Sequence, residues 1–154
     1  MAPQKHYTKE KNINKINKLK NILLLAGMLE IIIGVMHFIM PYFVYKIDNF
    51  SLLPQAEIDF IILCVLSVGI LLIAFGLITI LLTKKLNLII DIMYLYIIVQ
   101  IILWTLRVSF EIIYPLNIDM FYINPFTNVV LPGLIIELLL FIVAFIMLRK
   151  EQLN

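Results

Sequence analysis

The sequence predicts an all-α fold, a membrane-embedded four-helix bundle, and three observations carry that expectation. The first is composition. Of 154 residues, 63% are hydrophobic and 14% charged, with a mean hydropathy of +1.05, whereas an ordinary soluble domain is about half apolar and roughly a quarter charged. So small a globule leaves much of its surface in solvent, so the solvent for the excess must be lipid. The second is length. Apolar runs at 22–44, 60–82, 88–106 and 129–148 each approach the twenty or so residues that cross a hydrocarbon core of roughly 30 Å at about 1.5 Å per residue. The third is the placement of cations. Lys5, Lys9, Lys11, Lys15, Lys18 and Lys20 precede the first run, Lys84 and Lys85 fill the turn after the second, and Arg149 and Lys150 follow the fourth. The alternate loops, 45–59 and 112–128, carry Lys46 alone. The positive-inside rule then expects a multi-pass protein of the cell (plasma) membrane with both termini and the Lys84–Lys85 turn cytoplasmic.

In chain order, residues 1–20 form a basic cytoplasmic segment. Ile13, Ile16 and Leu19 recur there at helical spacing, which fits either a short amphipathic helix on the cytoplasmic leaflet or a solvated tail that fixes orientation. Lysines on such a helix would be drawn to anionic headgroups by on the order of 1 kcal/mol each. Residues 21–150 form the membrane domain, with helices at about 22–44, 60–82, 88–111 and 129–148. The first run is too long for a signal h-region and ends in bulky "PYFVYKI", so it is expected to stay in the mature protein. The outer loops "YKIDNFSLLPQAEID" and "IIYPLNIDMFYINPFTN" are rich in aromatics suited to the headgroup belt. Pro54, Pro115 and Pro125 mark turns or helix ends there. Asn49-Phe50-Ser51 fits a glycosylation sequon. Cys64, the single cysteine, has no internal disulfide partner and is expected as a small core residue. No Gly-rich phosphate loop, internal repeat or transition-metal ligand set is evident, and nothing supports nucleic-acid binding.

The opening span, "GMLEIIIGVMHFIMP", carries a glutamate and a histidine inside apolar sequence. At about 100° per residue, Glu30, Gly34, His37 and Pro41 share one narrow stripe, with Gly27 at its edge. Gln100, Trp104, Arg107 and Glu111 form a similar stripe on the third span. On the fourth, Glu137 shares a face with Gly133, Phe141 and Ala144. The second span offers two small pairs seven residues apart, Gly69 with Gly76 and Ser67 with Ala74, which suit close helix approach. A charge left facing lipid at the bilayer centre costs at least about 2.5 kcal/mol, so the stripes are expected to face the bundle interior. By rise per residue, Glu30, Gln100 and Glu137 lie roughly 12–18 Å from the cytoplasmic ends, His37 about 22 Å and Arg107 about 28 Å. The expectation is a polar cavity, closed inward and open outward, with Glu57, Asp59 and Glu111 around its outer mouth. Two carboxyls in one low-dielectric layer cannot both ionise cheaply. Glu30 and Glu137 are therefore either proton sites or structural hydrogen-bonding groups. Arg107 with Glu111 also fits a simple i,i+4 interfacial pair. Asp91 lies opposite the Gln100 stripe, in the first turns of its span, and is left out of the site.

At "GVMHFIMPYFVYKI", Gly34, His37, Phe38 and Pro41 resemble the first-helix signature of DoxX-like small membrane proteins, a glycine-bearing helix running into a His-Phe-x-x-Pro element. The four-span layout and the short basic turn after the second span are also similar. The resemblance covers about the first two helices. Members often carry a glutamate near a glycine in the second helix, where this chain reads "SVGILLIAFG" without an acid. The resemblance implies an accessory role near membrane oxidoreductases or quinone chemistry.

The leading expectation for function is a quinone- or lipid-like small-molecule-binding accessory subunit. His37, Arg107 and Gln100 would contact the ligand's polar head, with Glu30 and Glu137 lining the cavity and Trp104 at its wall. No metal is expected and the sequence demands no cofactor. The partners are the bilayer and a membrane oxidoreductase or a second copy of the chain. Three alternatives stand beside it: proton- or ion-coupled transport by an oligomer, an intramembrane isomerase-type enzyme using paired carboxyls, and an assembly partner whose polar stripes mate with another protein. A non-enzymatic role ranks ahead of the enzyme, for which no catalytic residue is assigned.

Overall fold

The computed structural model describes residues 4–44, 52–86, 88–114 and 129–152, all in or beside four α-helices. They are α1 (Gln4–Val44), α2 (Gln55–Lys84), α3 (Ile90–Ile113) and α4 (Val130–Gln152). All four are long and apolar enough to cross a membrane, over Asn14–Pro41, Gln55–Lys84, Ile90–Ile113 and Val130–Arg149. Lys46, Asn49, Pro115 and Pro125 lie outside the described residues.

No glycine or proline interrupts α1 between Gln4 and Ala26, so nothing in its backbone chemistry separates the lysine-rich segment from the apolar one. The two form one helix of 41 residues, about 62 Å at 1.5 Å per residue. Near its far end, Pro41 has no N–H to offer the carbonyl of His37, four residues back. α2 starts where the Pro54 carbonyl accepts from the N–H of Glu57 (2.9 Å) and Ile58 (3.2 Å), five residues before the apolar run begins. The turn to α3 is held by Lys85 N–H to Leu82 O at 3.0 Å and Leu88 N–H to Lys85 O at 2.8 Å. It exposes Lys84 and Lys85 and buries Leu86. In α4, Pro132 falls in the first turn, where the missing N–H would have no helical partner.

The chain divides into two packing units. One is Leu25–Leu81, the apolar part of α1 with most of α2. Here Gly27 faces Gly76 and Gly34 faces Gly69, backbone against backbone. The numbering rises along one helix as it falls along the other, so the two run antiparallel. A Cβ built on Gly76 would lie 2.5 Å from Gly27 O, and one on Gly34 2.8 Å from Gly69 O; no larger residue fits at this separation. The opposite face of α2 is apolar and open: Phe60, Leu63 and Leu81 are 66%, 62% and 60% exposed, as lipid-facing residues are.

That orientation corrects two expectations. Ser67 and Ala74, the second small pair, are exposed, and Ser67 spends its hydroxyl on Leu63 O of its own helix at 2.7 Å. Cys64 is likewise exposed rather than a core residue. The physical reason is common to all three. Turning Gly69 and Gly76 toward α1 sends positions 64, 67 and 74 to the far side of the helix.

The other unit is Met1–Leu24 with Leu82–Asn154. Its centre is the contact between α3 and α4. Tyr94, early in α3, stacks on Phe145, late in α4, at 5.1 Å between ring centroids, which makes these helices antiparallel too. Leu19, Leu23, Met93, Ile97, Phe141, Ala144 and Leu148 are buried in this unit.

Candidate functional site

In the Leu25–Leu81 unit, Glu30 is fully buried. Its Oε2 lies 3.0 Å from the hydroxyl of Thr79, itself fully buried on α2. The Thr79 hydroxyl is also 2.9 Å from Phe75 O, one turn back in its own helix. Thr79 is uncharged and lies within an apolar run, so hydropathy and charge do not mark it in the sequence. It stands three residues after Gly76, so the glycine face that meets α1 also carries it. That spacing was the available signal.

His37 is half-buried. A Cβ on Gly69 would come within 2.9 Å of the His37 Cβ, so the glycine contact pins the base of this side chain. Its Nδ1 is 2.8 Å from Ile33 O. A carbonyl only accepts, so Nδ1 carries the hydrogen of this contact. Glu57 and Asp59, expected at an outer mouth, are exposed in the first two turns of α2. Asp59 Oδ1 accepts from Gln55 Nε2 at 2.8 Å. Acids at a helix start complement its dipole, which gives both a local role.

In the α3–α4 unit, Gln100, Trp104 and Glu111 of α3 and Glu137 of α4 are all buried, with exposures of 1%, 3%, 3% and 0%. Gln100, Trp104 and Glu111 share the buried stripe of α3 with Met93 and Ile97. Gln100 Nε2 donates to the Tyr96 hydroxyl at 2.6 Å. Tyr96 is thus a partner in the polar stripe. Arg107 forms an ion pair with Glu111 at 2.9 Å, the arginine side chain 41% and the glutamate 2% exposed. Of the two readings of Arg107, this geometry is the i,i+4 pair. Asp91 is exposed in the first turn of α3.

Chemically, each unit holds a buried carboxyl: Glu30, with the Thr79 hydroxyl beside it, and Glu137, in the unit that also holds Gln100 and Tyr96. Among the described residues no group of three or more His, Cys, Asp or Glu is placed to hold a metal ion. No protein-family model, curated protein or solved structure matches the chain.

Proposed function

We propose that this chain is a multi-pass membrane protein whose polar interior binds a small amphiphile, a quinone- or lipid-like molecule, as an accessory subunit. The observation that carries this reading is the complete burial of Glu30, Gln100 and Glu137 in helices that are otherwise apolar. Keeping polar groups inside a membrane helix is costly, and a ligand with a polar head repays that cost in a way that apolar packing would not. Within each unit a separate group would meet such a head: His37 in the Leu25–Leu81 unit, and the Arg107–Glu111 pair in the other, where Trp104 would form its wall. The partial DoxX-like signature at Gly34, His37, Phe38 and Pro41 is in keeping with an accessory role beside a membrane oxidoreductase. Purification in mild detergent followed by mass spectrometry of extracted small molecules tests the reading. A stoichiometric amphiphile, lost on Gln100→Leu, supports it. Wild-type protein that is folded but carries nothing above detergent background, and whose Trp104 fluorescence ignores added quinones and lipids, counts against it.

The orientation proposed with this function has both termini and the Lys84–Lys85 turn in the cytoplasm, in the plasma membrane. It rests on the placement of ten of the twelve Lys and Arg residues. Impermeant thiol reagents on single-cysteine variants in a Cys64→Ser background should label position 52 and not position 10 in intact cells.

A second reading, proton- or ion-coupled transport by an oligomer, draws on the two fully buried carboxyls Glu30 and Glu137. Uptake into liposomes driven by a proton gradient and abolished by Glu137→Gln would favour it over simple ligand binding.

A further inference from the structure

The unit of Met1–Leu24 with Leu82–Asn154 gathers three basic stretches at one end. The Tyr94–Phe145 stack sets the level of α3 against α4. Ile90 stands four residues before Tyr94 and Arg149 four after Phe145, so both lie about 6 Å past the rings in the same direction. The turn that leads into Ile90 carries Lys84 and Lys85, both exposed. Its backbone bonds, Lys85 N–H to Leu82 O and Leu86 N–H to Thr83 O, fix it at that end. α1 joins the unit through Leu19 and Leu23, which are buried. Its antiparallel register with α2, set by Gly27 against Gly76 and Gly34 against Gly69, brings Lys20 level with Thr83 when carried on by seven residues. Lys18 lies just beyond and is exposed. In sequence, 64 residues separate Lys20 from Lys84 and Lys85 from Arg149; the fold is what assembles the cluster.

We propose that this end of the unit binds anionic phospholipids, with their phosphates among Lys18, Lys84, Lys85 and Arg149. Charge there is one-sided. Residues 14–24, 82–93 and 145–152 hold Lys15, Lys18, Lys20, Lys84, Lys85, Arg149 and Lys150 against Asp91 and Glu151. Even with each acid paired to one cation, five positive charges remain. Exposed aliphatic side chains stand within a turn of these cations: Leu88, 85% exposed, three residues after Lys85, and Ile146, 46% exposed, three before Arg149. A soluble acidic protein or a nucleic acid would match the charge and leave those side chains in water. A phospholipid matches both, its phosphate meeting the cations while its acyl chains cover the aliphatic surface. Lysine and arginine suit that boundary because their stems lie along apolar surface while the charged head stays at the polar edge. The surface lies on the outside of the helices, so it does not depend on the amphiphile-binding reading of the interior, nor on which side of the membrane the termini lie.

Native mass spectrometry of the full chain in mild detergent tests it, with phosphatidylglycerol titrated against phosphatidylcholine of the same acyl chains. One lysine near an anionic lipid surface is worth about fivefold in binding, so the wild type should prefer phosphatidylglycerol by at least about that factor. Lys84→Gln/Lys85→Gln should lose at least about fivefold in affinity for phosphatidylglycerol and bind phosphatidylcholine as before, while Lys84→Arg/Lys85→Arg should keep the preference. Lys18→Gln/Arg149→Gln should show the same kind of loss from the other two elements, and it decides if the turn variant fails to fold by circular dichroism. Near-equal retention of the two lipids by the wild type overturns the proposal. So does an undiminished preference in either folded glutamine variant. Excess glycerol phosphate or polyglutamate should leave the bound lipid in place; displacement by either would mean a site for soluble anions and overturn the lipid assignment.

Discussion

A Gly76→Ala substitution adds a methyl group 2.5 Å from Gly27 O and 2.7 Å from Ile31 Cγ1. Carbon atoms pack comfortably at about 3.5–4.0 Å, so relief requires the helices to part by roughly an ångström. The neighbouring carbonyl belongs to backbone and cannot rotate away. A radial gap of about 0.5–1 Å forfeits a quarter to a half of each dispersion contact it opens, and the loss would extend along the crossing toward Gly34 and Gly69. Overpacking of this kind costs about 1–3 kcal/mol. Alanine also gains about 0.5–1 kcal/mol of helix propensity over glycine, which masks part of that loss. Gly133 of α4 supplies the control, because a Cβ built there meets nothing within 4 Å. Gly133→Ala should show the propensity gain alone, so the difference between the two variants isolates the crossing at about 1–3 kcal/mol. Reversible unfolding in mixed detergent–SDS micelles, followed by helical circular dichroism, measures both. If Gly76→Ala matches Gly133→Ala within error, the backbone contact between α1 and α2 is not what holds this pair together.

Three further outcomes follow from the same geometry. A spin label on Cys64, exposed on the apolar face of α2, should relax rapidly with lipid-dissolved oxygen, whereas a label replacing Gly69 should disrupt folding; an oxygen-shielded Cys64 would contradict the assigned face. Glu137→Ala empties a fully buried position and should destabilise through the cavity it leaves, by about 2 kcal/mol, while Glu137→Gln, which keeps that volume, should stay near wild type in the same unfolding assay. Arg107→Ala removes the ion-pair partner of the buried Glu111 carboxylate and should destabilise by about 1–3 kcal/mol, with the loss largely recovered in Arg107→Ala/Glu111→Gln; absence of recovery in the double variant would mean the ion pair contributes no coupling.

Composition and run length alone determined the helical class and the four candidate spans, because these follow from the thickness of a bilayer. Helical periodicity went one step further: it placed Glu30, Gln100 and Glu137 on single stripes, and all three are buried. Periodicity describes a helix only about its own axis, however, and does not choose among faces of similar chemistry. α2 carries two small-residue pairs at the same seven-residue spacing, Gly69 with Gly76 and Ser67 with Ala74. Only packing decided between them, because Gly27 and Gly34 of α1 repeat that spacing and allow backbone contact that a serine or alanine side chain would block. From that choice came the exposure of Cys64, the burial of Thr79 and its contact with Glu30, none of which a single helix's pattern contains. The ion pair of Arg107 with Glu111 and the hydrogen bond of Gln100 to Tyr96 likewise needed the structure, because such contacts act over only about 3 Å.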